Sequence, residues 1–81
     1  MKVKVKVFAV LKDMLERAEL ELDLPVGASC SDVVDRLGTQ FEFLTPTLRR
    51  CLVAVNGEFA AGDAFLSEGD EVAVLPPVSG G

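Results

Sequence analysis

The chain ends in Gly80-Gly81, directly after Leu75-Pro76-Pro77-Val78-Ser79, and this ending holds the group with the plainest chemical use. A terminal carboxylate on Gly81 is ionised at neutral pH. Its oxygen can attack the α-phosphate of a nucleotide to give an acyl-adenylate, which turns a poor electrophile into a good one. The residues before it suit that task. Pro76 and Pro77 supply no backbone donors and have fixed φ, so a strand arriving there stops and the chain is projected outward. Val78 and Ser79 continue the extension, and Gly80 and Gly81 carry no side chain to obstruct a narrow active site. A frayed terminus is the competing reading, since chain ends are often disordered unless tied down. The Pro-Pro-Val-Ser run does not resemble a linker.

No other group of residues forms a self-sufficient active site. Histidine is absent, so neither a Ser-His-Asp nor a Cys-His arrangement can be built. Cys30 and Cys51 are too few for a four-cysteine zinc site and lack a histidine for a mixed one. They read as buried free thiols, in preference to a disulfide or redox pair, and no metal site is expected. The 13 acidic residues alternate with apolar ones or lie in turns, the pattern of a solvated face. Gly57 and Gly62 are isolated, so no phosphate-binding or dinucleotide-binding loop is present.

Composition narrows the class of partner. At 81 residues, 49% hydrophobic and 26% charged, the chain reads as one soluble globular domain. A net charge of -5 disfavours nucleic acid, whose affinity comes from clustered Lys and Arg, and favours a partner with a basic surface. No apolar run approaches the roughly 20 residues that span a bilayer. Lys2, Lys4 and Lys6 interrupt the segment where a signal peptide needs continuous apolarity. A cytoplasmic protein without a membrane partner is expected.

The elements that position the tail follow from hydrophobic periodicity. Residues 1–8 alternate strictly, with Met1, Val3, Val5 and Val7 on one face and Lys2, Lys4, Lys6 and Phe8 on the other, which marks a half-buried strand. Val10, Leu11, Met14 and Leu15 fit a short helical turn. Ala18, Leu20, Leu22 and Leu24 alternate with acids as a second strand until Pro25 and Gly27. Ser29 and Asp32 resemble a capping box, followed by Cys30, Val33, Val34, Leu37 and Phe41 at helical spacing over about residues 30–40. A loop containing Pro46 is expected next. Cys51–Val55 forms a third strand, and Asn56-Gly57 predicts a type I′ hairpin turn with Glu58-Phe59-Ala60 returning. Glu71–Leu75 is the last strand.

This order suits an α+β fold, a mixed sheet of about five strands with one main helix on one face. The β-grasp (ubiquitin-like) arrangement satisfies it with the first and last strands as parallel central neighbours, giving a 1–75 domain and a 76–81 tail. A ferredoxin-like fold would need a second full helix between residues 60 and 70, where Gly62 and Gly69 leave little room. Strand phase adds a second functional feature. Val72 and Val74 share the helix face with the valines of the first strand, so Phe8 and Leu75 meet on the uncovered face at the root of the tail, and Phe59 can join them. An apolar patch there suggests a docking surface, unless loops fold over it.

The Phe8-Ala9-x-Leu11 turn, the Val53-Ala54-Val55-Asn56 segment, Gly69-Asp70-Glu71-Val72-Ala73 and the Pro76–Gly81 ending together resemble the small subunits of molybdopterin synthase, a branch of the ubiquitin-like sulfur carriers. The resemblance covers essentially the whole chain. It implies that Gly81 is adenylated by an E1-like enzyme using ATP, converted to a thiocarboxylate by a sulfurtransferase or cysteine desulfurase, and inserted into the large synthase subunit within a heterotetramer. Sulfur then passes to cyclic pyranopterin monophosphate to form the dithiolene of molybdopterin. On this resemblance Pro76, Pro77, Val78, Ser79 and Gly80 thread partner active sites, and Phe8, Phe59 and Leu75 form the partner interface. The chain binds no cofactor itself and is not an enzyme alone. Lys12-Asp13 stands where relatives often have Arg-Glu, which keeps both charges. The alternatives are a carrier for thiamine or transfer-RNA thiolation or, in a different class, a ubiquitin-like protein modifier or a non-catalytic β-grasp interaction module.

Overall fold

The computed structural model describes residues 1–77. Five strands form one mixed sheet: β1 (Lys2–Val7), β2 (Glu19–Asp23), β3 (Leu52–Val55), β4 (Glu58–Phe59) and β5 (Glu71–Leu75). Their spatial order is β2-β1-β5-β3-β4. β1 runs parallel to β5, with Val5 opposite Val72 and Val7 opposite Val74, while β2 and β3 flank this pair antiparallel. This is the β-grasp topology expected from the sequence. Because the two central strands are parallel, their C-terminal ends lie side by side.

The alternation of β1 is realised as burial: Val3, Val5 and Val7 are buried together with Val72 and Val74 of β5 and Leu20 and Leu22 of β2. The principal helix packs over them. It is α2 (Cys30–Gln40), and it buries Cys30, Val33 and Leu37. The Ser29 N–H donates to the Asp32 carboxylate at 2.8 Å, which satisfies a donor that the helix start would leave open. The first-turn N–H groups of Cys30 and Ser31 donate to the carbonyls of Ala64 and Gly62 at 3.0 and 2.8 Å. The segment 60–70 is therefore spent as turns that close the helix N-terminus. It holds no helix, and the ferredoxin-like alternative falls with it.

α1 (Ala9–Leu15) is the short helix expected after β1, and it buries Leu11 and Leu15. The expected loop around Pro46 is instead a 3-10 turn (Glu42–Leu44) followed by α3 (Thr45–Leu48). The reason is local. Proline is tolerated in the first turn of a helix, where its missing N–H has no partner to lose, and Leu44 and Leu48 are both drawn into the core. A four-residue helix is too short to display a hydrophobic period.

The Asn56-Gly57 turn has the positive φ at both residues that a type I′ hairpin requires, 49° and 87°. Asn56 also links two turns: its side-chain amide donates to Asp70 at 3.1 Å, and its side-chain oxygen accepts the Glu71 N–H at 3.0 Å. This ties the end of β3 to the start of β5, in the register that places Leu75 opposite Leu52.

Candidate functional site

Sheet register determines what surrounds the root of the tail. Residues directly opposite on paired strands share a face, so Leu75 stands beside Leu52, Ala73 beside Ala54, and Ala54 beside Phe59. On the other side Lys6 stands beside Ala73. Phe8 follows Val7 with extended backbone, φ -133° and ψ 162°, so it continues the alternation and falls on the face of the lysines. The uncovered face near the tail thus carries Phe8, Leu52, Ala54, Phe59, Ala73 and Leu75.

The three residues expected to form the interface lie on this one face. Phe8 is 41% exposed and Phe59 is 73% exposed, while Leu75 is half-buried. Among the described residues, no loop covers the two phenylalanines. Leu52 was missed from sequence, yet it is 61% exposed and opposes Leu75 directly. The signal that finds it is antiparallel pairing of β3 with β5, and neither strand alone reveals it. Ala54 is buried on the same face, its small side chain lying opposite Phe59.

The remainder of the face is charged. Lys2, Lys4 and Lys6 of β1 oppose Asp23, Glu21 and Glu19 of β2. Lys2 pairs with Glu21 at 3.6 Å and Lys6 with Glu71 at 3.4 Å. These exposed pairs add little stability, but they give the face a polar border around its apolar part. A hydrophobic centre with a polar rim is the general anatomy of a protein interface.

Pro76 is half-buried and Pro77 is exposed, both outside the strand. β5 ends where the first proline removes its donor, as expected. Val78, Ser79, Gly80 and Gly81, expected to thread partner sites and to carry the reactive carboxylate, lie outside the described residues.

The cysteines sit elsewhere. Both are free; Cys30 is buried as expected, whereas Cys51 is only half-buried. They border a groove with Val34, Arg49, Val53 and Gly62, on the helix side of the sheet. Burial pushes both thiols above their ordinary pKa; for Cys30 the charge of Asp70 adds to this. The Cys51 thiol donates to the Thr47 carbonyl at 3.2 Å. Neither environment activates a nucleophile, since a reactive thiolate needs a lowered pKa. Among the described residues no three His, Cys, Asp or Glu side chains converge as metal ligands, and no helix is long and apolar enough to cross a membrane.

Comparison with known proteins agrees with this geometry. The molybdopterin synthase sulfur carrier subunit of Arabidopsis thaliana is 34% identical over 80 residues, covering 98% of this chain and 82% of that one. Among solved structures, SAMP1 of Haloferax volcanii superposes with a TM-score of 0.86 at 30% identity, over 100% of both chains. The complex of subunits 1 and 2 of the molybdopterin-converting factor of Helicobacter pylori contains a chain that superposes with a TM-score of 0.73 at 26% identity, again over 100% of both. The model of the ThiS family matches residues 5–81, a span that takes in all of the sheet but the start of β1, together with the helix, the apolar face and the diglycine: the chain belongs to the ThiS family.

Proposed function

We propose that this protein is the sulfur carrier subunit of molybdopterin synthase, a cytoplasmic protein that acts in a complex and not as an enzyme alone. The observation that carries the reading is the exposed apolar face of Phe8, Leu52, Phe59 and Leu75 at the C-terminal ends of the two central strands. It lies at the point from which the diglycine tail departs. A partner that grips this face receives the tail from a fixed origin, which restricts where the Gly81 carboxylate can reach. The full-length similarity to sulfur carrier subunits, and to a chain solved in complex with its subunit 2, supports the same reading.

The chemistry follows from the terminal carboxylate. An E1-like enzyme transfers adenylate from ATP to Gly81, releasing pyrophosphate. The terminal sulfur of a persulfide on a sulfurtransferase or cysteine desulfurase then attacks the acyl-adenylate and displaces AMP; a thiol cleaves the resulting acyl disulfide, forming a disulfide with the donor enzyme's remaining sulfur and leaving a thiocarboxylate on Gly81. In the large subunit this sulfur passes to cyclic pyranopterin monophosphate as the dithiolene is built. Pro76, Pro77, Val78, Ser79 and Gly80 form the tether, and Phe8, Leu52, Phe59 and Leu75 form the grip.

Mass spectrometry of the protein after incubation with the activating enzyme, ATP and a sulfur source tests the first stage. The expected product is heavier by the replacement of one oxygen with sulfur at Gly81. Mixed with the large subunit, this product is expected to convert cyclic pyranopterin monophosphate to molybdopterin. An unchanged mass beside an activating enzyme shown to be active on another carrier would overturn the reading. Thiocarboxylate formation without molybdopterin synthesis would redirect it to thiamine or transfer-RNA thiolation.

A second reading, attachment of the tail to lysines of other proteins, is favoured by the 30% identity to SAMP1 over the whole of both chains. The Haloferax volcanii protein of that name is a small archaeal modifier protein. Ladders of isopeptide-linked products in a lysate supplied with the activating enzyme and ATP would support it, and their absence would exclude it.

A further inference from the structure

Among the described residues, three other than glycine have positive φ: Ala9 at 51°, Glu16 at 57° and Asn56 at 49°. Two are accounted for by ordinary local rules. Glu16 ends α1, where a left-handed residue commonly caps a helix, and Asn56 occupies a hairpin turn that demands this geometry from a residue type that tolerates it. Ala9 has neither explanation. It is exposed, so no core packing requires its methyl group. Glycine would adopt the same φ without strain.

The position of Ala9 indicates what the strain achieves. β1 ends at Val7 and α1 begins at Ala9, so Phe8 is the sole residue between strand and helix. Phe8 keeps extended backbone, while its carbonyl accepts the N–H of Leu11 at 3.1 Å and of Lys12 at 3.4 Å. The left-handed turn at the next residue reconciles the two: the chain leaves the sheet in one step, and Phe8 stays in strand phase on the open face. Phe8 is 41% exposed, so burial does not hold it alone. Alanine has a narrow left-handed well and glycine a broad one.

We propose that Ala9 is a positioning residue for partner docking, its strained but restricted backbone pre-orienting Phe8 for the large synthase subunit. The inference rests on the docking role of the face given above. Strain retained at an exposed residue beside a binding surface is a recognised signature of pre-organisation.

Full-length protein assembled by joining segments 1–29 and 30–81 at Cys30 allows D-alanine at position 9 to be compared with Ala9→Gly and Phe8→Ala. Melting temperature and affinity for the large subunit are measured for each. Ala9→Gly is expected to melt near the parent yet associate about two- to tenfold more weakly, the effect of re-ordering one side chain. D-Alanine, which prefers positive φ and keeps the methyl restriction, is expected to melt higher and bind at least as tightly as the parent. Parental affinity in Ala9→Gly, an equal loss with D-alanine, or a loss in Ala9→Gly matched by a large fall in melting temperature overturns the proposal. Phe8→Ala separates the levels. If it too binds like the parent, the docking reading itself fails; if it binds weakly while Ala9→Gly does not, the positioning role alone fails.

Discussion

Val74 and Leu75 are consecutive residues of β5 that face opposite sides of the sheet, so truncating each in turn separates folding from docking. Val74 is 0% exposed and stands between Val7 of β1 and Val53 of β3. Val74→Ala removes two methyl groups from the core. At about 0.8 kcal/mol per group the transfer loss is about 1.6 kcal/mol, and the cavity left behind raises it to about 2–3 kcal/mol. In a domain of this size each kcal/mol lowers the melting temperature by about 4–8 °C, so the expected fall is about 8–24 °C. Leu75 is half-buried at the end of its strand, with Leu52 as its opposite neighbour. Leu75→Ala is expected to cost the isolated protein about 1 kcal/mol or less. The proposed docking role makes the same residue an anchor in the complex, and losing an anchor typically costs about 2 kcal/mol, roughly 30-fold in affinity. Thermal melting of each variant, paired with calorimetric titration into the large subunit, reads both quantities. The expected pattern is crossed: Val74→Ala melts early but binds normally per folded molecule, and Leu75→Ala melts near the parent but binds weakly. If Leu75→Ala unfolds like Val74→Ala while its folded fraction binds normally, the assignment of faces is wrong and the docking surface with it.

Leu52→Asp is expected to weaken association with the large subunit at least as much as Leu75→Ala, with melting within a few degrees of the parent; parental affinity would remove Leu52 from the interface. Deleting Gly80 and Gly81 is expected to abolish thiocarboxylate formation while changing stability by less than about 0.5 kcal/mol, checked by mass spectrometry and thermal melting. Gly57→Ala places a methyl at φ 87° in open space, so backbone strain alone acts; a loss of about 1 kcal/mol is expected from denaturant titration. The thiols give stability an alkaline limit. Burial raises the folded-state pKa of Cys30 and Cys51, so in the window between the ordinary thiol value and the raised one the folded protein holds more protons than the unfolded chain. Their contribution is fully present below that window and is lost as pH rises through it. Cys51→Ala is expected to flatten the alkaline decline in melting temperature.

Elements with a strong period or a strict local requirement were legible from the amino-acid order. The alternation of Lys2–Val7, the helical spacing from Cys30 to Leu37, the Ser29-Asp32 box and the Asn56-Gly57 turn each follow from a rule that acts within a few residues, and the structure realises all four. The four-residue helix at Pro46 escaped because it spans about one helical turn, so its hydrophobic period never repeats. Ala9 escaped for the opposite reason: alanine is a good helix former, and nothing local marks it as left-handed.

The division is sharpest at the docking face. That Phe8 points away from the valines is a property of β1 alone, since side chains alternate along any strand. That Leu52 and Ala54 join Phe8, Phe59 and Leu75 there is a property of pairing. It depends on β5 being inserted between β1 and β3, parallel to one and antiparallel to the other, a contact across more than sixty residues of chain in the case of Val7 and Val74. No short-range pattern encodes such a register, because it is selected by the burial of every core residue at once. The sequence by itself determined that a diglycine follows a strand stopped by two prolines and, through the β-grasp order, that this strand pairs in parallel with the first; only the tertiary structure decided the β3–β5 register that sets Leu52 and Ala54 on the same face beside the root of the tail.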